Sequence, residues 1–147
     1  ASRGRGDHHE GGVETAELLM VKNLLTAAAV YLAALGAALL FVPRQFGVDA
    51  VPSEPSSELL ALLRLLGGPF LGIAVLDWMT RTVEAPEGRR TVLLANLVGF
   101  GVVAANDVVG VLTGEARDIA RVFVVVHLAF AAGFAVAWVR DQRAPAT

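Results

Sequence analysis

Four long apolar stretches, separated by shorter polar segments, dominate the chain. They cover about residues 23–42, 59–80, 91–112 and 121–139. About 20 apolar residues, at a rise of about 1.5 Å each, cross the roughly 30 Å hydrocarbon core of a bilayer as a helix. The pattern therefore predicts an all-α membrane protein with four transmembrane helices in an antiparallel bundle.

The two ends of the chain have a different character. Residues 1–20 are polar and glycine-containing with mixed charges, which predicts a flexible N-terminal tail. Residues 141–147 form a short C-terminal tail, so that the transmembrane domain spans 21–140. A cleaved signal peptide is the alternative for the first apolar stretch, but this stretch is longer than the apolar core of a typical signal peptide.

Composition agrees with a membrane protein and excludes several functions. The chain is 55% hydrophobic and only 18% charged, which is too apolar for an ordinary soluble domain. A net charge of -2 gives no basic surplus for phosphates, so nucleic-acid binding is not expected. Without cysteine there is no disulfide and no thiolate metal site.

The basic residues predict the orientation of the bundle. Lys and Arg are enriched in the loops that stay on the cytoplasmic side of a membrane. Of the 12 Lys and Arg residues, eight lie before the first apolar stretch, between the second and third stretches, or after the fourth. We therefore expect both termini to be cytoplasmic.

Small and polar residues mark the expected contacts between helices. Helices in lipid associate through small side chains that let backbones approach, and through hydrogen bonds between helices. Residues of this kind recur at spacings of three or four in the second, third and fourth stretches. The predicted packing positions are Gly68, Gly72, Asn96, Gly99, Ala129 and Gly133.

Charged groups at membrane depth are costly, and each needs a partner. The second stretch carries Arg64 near its start and the third carries Asp107 near its end, at matching depths. We therefore expect an ion pair between these two residues, with Arg121 as the alternative partner and Asn106 beside it. This polar cluster would be either a structural clamp or an outward-facing site.

Asp77 lies at the other end of the second stretch, with Arg81 one helical turn further on. This spacing predicts a charge pair at the membrane interface. Trp78 and Trp138 fit the aromatic belt that anchors helices at that level.

His127 is the one candidate ligand for a cofactor. A lone membrane histidine most often makes a hydrogen bond between helices. A haem with two histidine ligands would need a second membrane histidine, whereas a chlorophyll-type tetrapyrrole needs only one imidazole. Tetrapyrrole binding by His127 is therefore an alternative role.

Three segments of the chain are distinctive: LLRLLGG at 62–68, LDWMTR at 76–81 and RRTVLLANLVG at 89–99. Together they resemble small uncharacterised four-helix membrane proteins of bacteria. The resemblance covers about residues 20–140. It implies a four-helix antiparallel bundle and no particular activity, and we expect the protein in the bacterial inner (cytoplasmic) membrane.

Packing surfaces are abundant, and the sequence shows no phosphate loop, no nucleophile with a base and no pair of carboxylates on one face. We therefore expect a non-enzymatic accessory or assembly subunit, docked to a larger membrane complex or to copies of itself. The alternatives are a small channel or carrier that uses the polar cluster, and a tetrapyrrole-binding subunit.

Overall fold

The fold is a bundle of helices. The computed structural model describes residues 7–46, 52–83, 85–115 and 119–143, and no strand occurs among them. The helices are α1 (Asp7–Phe41), α2 (Pro43–Phe46), α3 (Ser57–Thr80), α4 (Pro86–Thr113) and α5 (Ala120–Arg143).

Four of these helices are long and apolar enough to cross a membrane. The segments that meet this criterion are Thr15–Phe41, Ser57–Thr80, Pro86–Thr113 and Ala120–Gln142. They contain or closely match the four apolar stretches, so the predicted number of spans is confirmed. The four-residue helix α2 is an additional element that the hydropathy pattern does not signal.

The structure places residues 7–20 of the predicted N-terminal tail in α1, which begins at Asp7. Nucleation is the unfavourable step of helix formation, whereas each further residue adds a hydrogen bond at little cost. The apolar span supplies the nucleus, and the good helix formers from Ala16 to Met20 extend it toward the N-terminus. Residues 1–6 lie outside the described part of the chain.

Local signals set the ends of the other helices. Ser56 caps α3, where its hydroxyl accepts a hydrogen bond from the Leu59 backbone N–H at 3.2 Å. Pro86 occupies the first turn of α4, where no hydrogen-bond donor is needed. Gly114 ends α4 with a φ of 74°, a left-handed conformation that glycine adopts without strain.

The long helices associate mainly in two pairs. α1 packs along α3, and α5 packs along α4, whereas α3 and α4 touch little. A core between α1, α4 and α5 joins the pairs, and Leu25, Leu93 and Phe134 are its largest fully buried apolar side chains. Because α3 stands away from α4, a cleft is left between them.

Glycine produces the closest approach of α1 to α3. A Cβ on Gly36 would lie 2.9 Å from the carbonyl oxygen of Gly67, and a Cβ on Gly67 would lie 2.7 Å from that of Gly36. The Gly67 Cβ would also lie 2.6 Å from Leu40 Cγ. Real Cβ contacts are essentially never this short, so the two backbones meet only because both positions lack a side chain.

The structure separates the predicted packing positions into exposed and buried ones. Gly68, Gly72 and Gly99 are exposed, with open space where a Cβ would be, and Ala129 is exposed too. None of these four is buried against another of the described helices. Gly133 does face α1, because a Cβ there would lie 3.1 Å from Leu24 Cδ1.

Charged residues join α4 and α5 at one end of the bundle. Arg89 Nε donates to Asp141 Oδ1 at 2.6 Å, and Arg90 Nε donates to Oδ2 at 2.7 Å. Arg90 Nη2 also donates to the Asp141 backbone carbonyl at 2.7 Å. Such charge-assisted bonds hold the start of α4 against the last turn of α5.

Candidate functional site

His127 is at the centre of a hydrogen-bonded chain that joins three helices. Its Nδ1 lies 2.6 Å from Asp107 Oδ2 on α4, and its Nε2 lies 2.6 Å from the hydroxyl of Tyr31 on α1. The His127 residue is 8% exposed, so these short bonds lie within the bundle. Helices α1, α4 and α5 thus each supply one residue of this hydrogen-bonded chain.

We assign the neutral Nδ1–H tautomer to His127, because a carboxylate oxygen of Asp107 accepts hydrogen bonds and this tautomer gives both ring nitrogens a partner. In this tautomer Nε2 is an acceptor, and the Tyr31 hydroxyl donates to it. The chain of bonds can pass a proton between Tyr31 and Asp107 through the imidazole.

Aromatic rings surround the imidazole and keep it in place. The ring centroids of Tyr31, Phe123 and Phe100 lie 5.7, 5.9 and 6.1 Å from that of His127. Phe100 in turn stacks on Phe130, with a centroid separation of 4.6 Å. The apolar surroundings strengthen the hydrogen bonds of His127, because no high-dielectric solvent competes with them.

A second polar pair lies between α3 and α4. Asp77 is fully buried, and its Oδ1 accepts a hydrogen bond of 2.7 Å from Asn96 Nδ2. The same Nδ2 donates to the Val92 backbone carbonyl at 3.1 Å. Asp77 Oδ2 is buried and has no hydrogen-bond partner among the described residues. The cost of burying this carboxyl group is therefore only partly offset.

An apolar cleft lies between α3 and α4, and Tyr31, Asn96 and His127 are the polar residues in its lining. Its volume is about 240 Å³. The cleft is lined by Tyr31, Leu32, Leu35, Phe70, Ile73, Leu76, Ala95, Asn96, Gly99, Phe100, Val103 and His127. Ile73, Leu76 and Val103 on its flanks are 41%, 47% and 39% exposed, and they lie within the membrane-spanning helices. The cleft therefore opens sideways, toward the lipid.

The structure gives Asp107 a different partner from the expected Arg64. Asp107 pairs with His127 on α5. Arg64, Asn106 and Arg121 are all exposed. Matching depth was an insufficient criterion, because the rotation of each helix about its axis decides which residues at one depth face each other.

The predicted charge pair between Asp77 and Arg81 is also wrong. Asp77 points inward to Asn96, whereas the Arg81 guanidinium lies over the Trp78 ring, with its Cζ 3.4 Å from the ring centroid. This cation–π contact satisfies Arg81 at the helix end without the carboxylate.

The surroundings of His127 do not fit an axial ligand of a tetrapyrrole. A metal needs the lone pair of one ring nitrogen, but Nε2 already accepts from Tyr31, and Nδ1 carries the hydrogen that faces Asp107. Three aromatic rings also pack within about 6 Å of the imidazole. Among the residues that the structure describes, no group of three or more His, Cys, Asp or Glu side chains could hold a metal ion.

No family model, curated protein or solved structure matches the chain. The resemblance to small bacterial four-helix membrane proteins therefore stays a prediction. The functional argument rests on the site itself.

Tyr31 is the residue of the hydrogen-bonded chain that the sequence analysis did not single out. As the one tyrosine of the chain, in the middle of the first apolar stretch, it is too deep for an interfacial anchor. That depth was the available signal, because a hydroxyl at mid-membrane needs a hydrogen-bond partner on another helix. His127 was a candidate partner, because an imidazole nitrogen can accept a hydrogen bond from a hydroxyl group.

Proposed function

We propose that the chain is a non-enzymatic integral membrane protein that binds an uncharged, lipid-soluble molecule in the cleft between α3 and α4. One observation carries this proposal: an apolar cleft that opens toward the lipid ends at Tyr31, Asn96 and His127. Apolar walls with a few placed polar groups are typical of small-molecule sites. This function is a form of the carrier alternative, with the Asp107 to Tyr31 chain in place of the exposed arginines.

The lining residues and the volume limit the kind of ligand. No Asp, Glu, Lys or Arg side chain lines the cleft, which favours an uncharged head group. A volume of about 240 Å³ is below the roughly 300–1,000 Å³ that encloses a whole drug-sized ligand. We infer that the cleft takes the head group while the apolar remainder of the molecule stays in the bilayer.

Filling the cleft tests this function. Gly99 lines it and has open space at its Cβ position, so Gly99→Leu places a side chain in the cleft without a clash at Cβ. We expect this substitution to reduce binding of a lipid-soluble photoreactive probe at least tenfold. Labelling of the full-length protein in nanodiscs, followed by peptide mass spectrometry, measures the reduction.

Gly101→Leu is the matched control, because Gly101 lies on the same helix, also has open space at Cβ and does not line the cleft. It is expected to label as the wild type does. Equal labelling of both variants, or labelled peptides that lie away from α3 and α4, would contradict the proposal.

An assembly subunit is the second candidate function, and the outer face of α3 favours it. Gly68 and Gly72 on this face have no neighbour within 4 Å of a Cβ position, so another helix has room to approach. Beside them an apolar groove of about 310 Å³ runs between α1 and α3, and Ala29, Ala33 and Trp78 are among its lining residues. A second copy or another membrane subunit would cover this face.

Gly72→Leu tests assembly separately from ligand binding. If the face docks another helix, this substitution should dissociate the complex, as measured by the mass of the detergent-solubilised particle, and leave probe labelling of the cleft unchanged. Gly99→Leu should instead reduce probe labelling of the cleft and leave the mass of the particle unchanged. An unchanged mass in the Gly72→Leu variant would remove the support for assembly through α3.

The arrangement in the membrane is also a proposal. The excess of Lys and Arg before the first apolar stretch, between the second and third, and after the fourth supports an antiparallel bundle with both termini in the cytoplasm. The resemblance to bacterial proteins supports the bacterial inner membrane. In this orientation Arg89, Arg90 and Asp141 lie at the cytoplasmic end, and Asp107 lies toward the outer side.

A further inference from the structure

The hydrogen bonds within the cleft limit the chemistry of the head group. We propose that the cleft is selective for an aromatic ring with two hydroxyl groups, as in a hydroquinone with an apolar tail. This inference rests on the proposed binding function and goes further, because it names the class of ligand.

Tyr31 provides the first hydrogen-bond acceptor of the cleft. With the Nδ1–H tautomer assigned to His127, the one hydrogen of the Tyr31 hydroxyl is donated to His127 Nε2. The Tyr31 oxygen keeps a free lone pair and has no further hydrogen to donate. A head group in contact with Tyr31 must therefore supply the hydrogen.

Asn96 provides the second hydrogen-bond acceptor of the cleft. Both hydrogens of its Nδ2 are in use, one to Asp77 Oδ1 and one to the Val92 carbonyl. The backbone carbonyl can only accept, which fixes the orientation of the amide whatever the protonation state of Asp77. The amide oxygen is left as an acceptor, so Asn96 also requires a donor from the ligand.

Tyr31 and Asn96 line the same cleft, on α1 and α4. We infer that one head group meets both acceptors, which suits a ligand with two hydroxyl groups.

Aromatic side chains in the lining favour a ring over a flexible diol. Tyr31, Phe70 and Phe100 all line the cleft, and aromatic groups prefer stacked or edge-to-face neighbours. A monoacylglycerol also carries two hydroxyls and an apolar tail, but it has no ring for these side chains to pack against. A quinone has the ring but offers two further acceptors, which the two acceptors of the cleft cannot satisfy.

The test compares ligands on the wild-type protein, so that it does not depend on the folding of a variant. An alkylated hydroquinone, its monomethyl and dimethyl ethers, the corresponding quinone and a monoacylglycerol compete with the photoreactive probe in nanodiscs, under anaerobic conditions. We expect the hydroquinone to bind most tightly and each methylation to weaken it about tenfold, because each removes one hydrogen bond. The quinone should bind at least tenfold more weakly than the hydroquinone.

Tyr31→Phe links the preference to the residue. The substitution removes one acceptor, so one hydroxyl of the hydroquinone no longer has a partner. Methylation of that hydroxyl should then have no cost, and one monomethyl ether should bind as tightly as the hydroquinone does. A quinone or a monoacylglycerol that competes as well as the hydroquinone would overturn the inference while the binding function stands. If the probe itself does not label the cleft, the proposed function fails as well.

Discussion

Gly67→Leu is expected to lower the free energy of unfolding by about 3 kcal/mol, because an added side chain has no space between α1 and α3. The clash would involve the Gly36 carbonyl, which is backbone and cannot rotate away, and the branched carbon of Leu40. α1 and α3 would have to separate along their whole interface. Thermal unfolding of the monomeric protein in mild detergent, followed by circular dichroism, measures the loss.

Gly68→Leu is the control for this substitution. Gly68 is adjacent in sequence, but a Cβ there meets nothing within 4 Å. The variant should unfold within about 0.5 kcal/mol of the wild type, as is usual for exposed positions. If Gly68→Leu proves the more damaging change, the rotation of α3 described above is wrong.

His127→Phe is expected to destabilise the bundle by about 2–3 kcal/mol, because it leaves the Asp107 carboxylate at membrane depth without its hydrogen-bond partner. Asp107→Leu should have a similar cost, since it leaves Nδ1 unsatisfied. The double variant removes both polar groups and should lose less than the sum of the two single losses. We expect a coupling energy of about 1–3 kcal/mol from the same unfolding measurement.

A second double-mutant cycle, between Arg64 and Asp107, is the control for the cycle between Asp107 and His127. Arg64 and Asp107 are at similar depths on their helices, but Arg64 is exposed and makes no contact with Asp107. The Arg64→Leu and Asp107→Leu changes should therefore be additive within about 0.5 kcal/mol. Coupling in this cycle together with none between Asp107 and His127 would restore the ion pair that the sequence suggested.

Asp107 contributes to ligand recognition under the proposal as well as to stability. Its contact with His127 lies across the imidazole ring from the Tyr31 oxygen, and in the assigned tautomer it holds the hydrogen on Nδ1 and thereby makes the Tyr31 oxygen an acceptor. The hydrogen-bond chain is thus a structural joint among three helices and, under the proposal, the element that sets what the cleft recognises.

The periodicity and length of the apolar stretches were sufficient to predict the helices. Each stretch is long enough to cross a bilayer, and a backbone in lipid must satisfy its hydrogen bonds internally, so only a helix fits. The sequence also singled out Asp77, Asn96, Asp107 and His127 as groups that need partners at membrane depth. It did not pair any of them correctly, and it did not predict that α1 begins at Asp7.

The sequence by itself determined the solvent of this protein, the number of its spanning helices and the polar groups that those helices must satisfy, because these follow from composition and length alone. Tertiary structure decided which groups meet. Gly67 and Gly68 differ by one position, yet about 100° of rotation about a helix of about 3.6 residues per turn places one in the α1–α3 contact and the other outside it. The same rotation brings Asp107 to His127 and Tyr31, and not to Arg64.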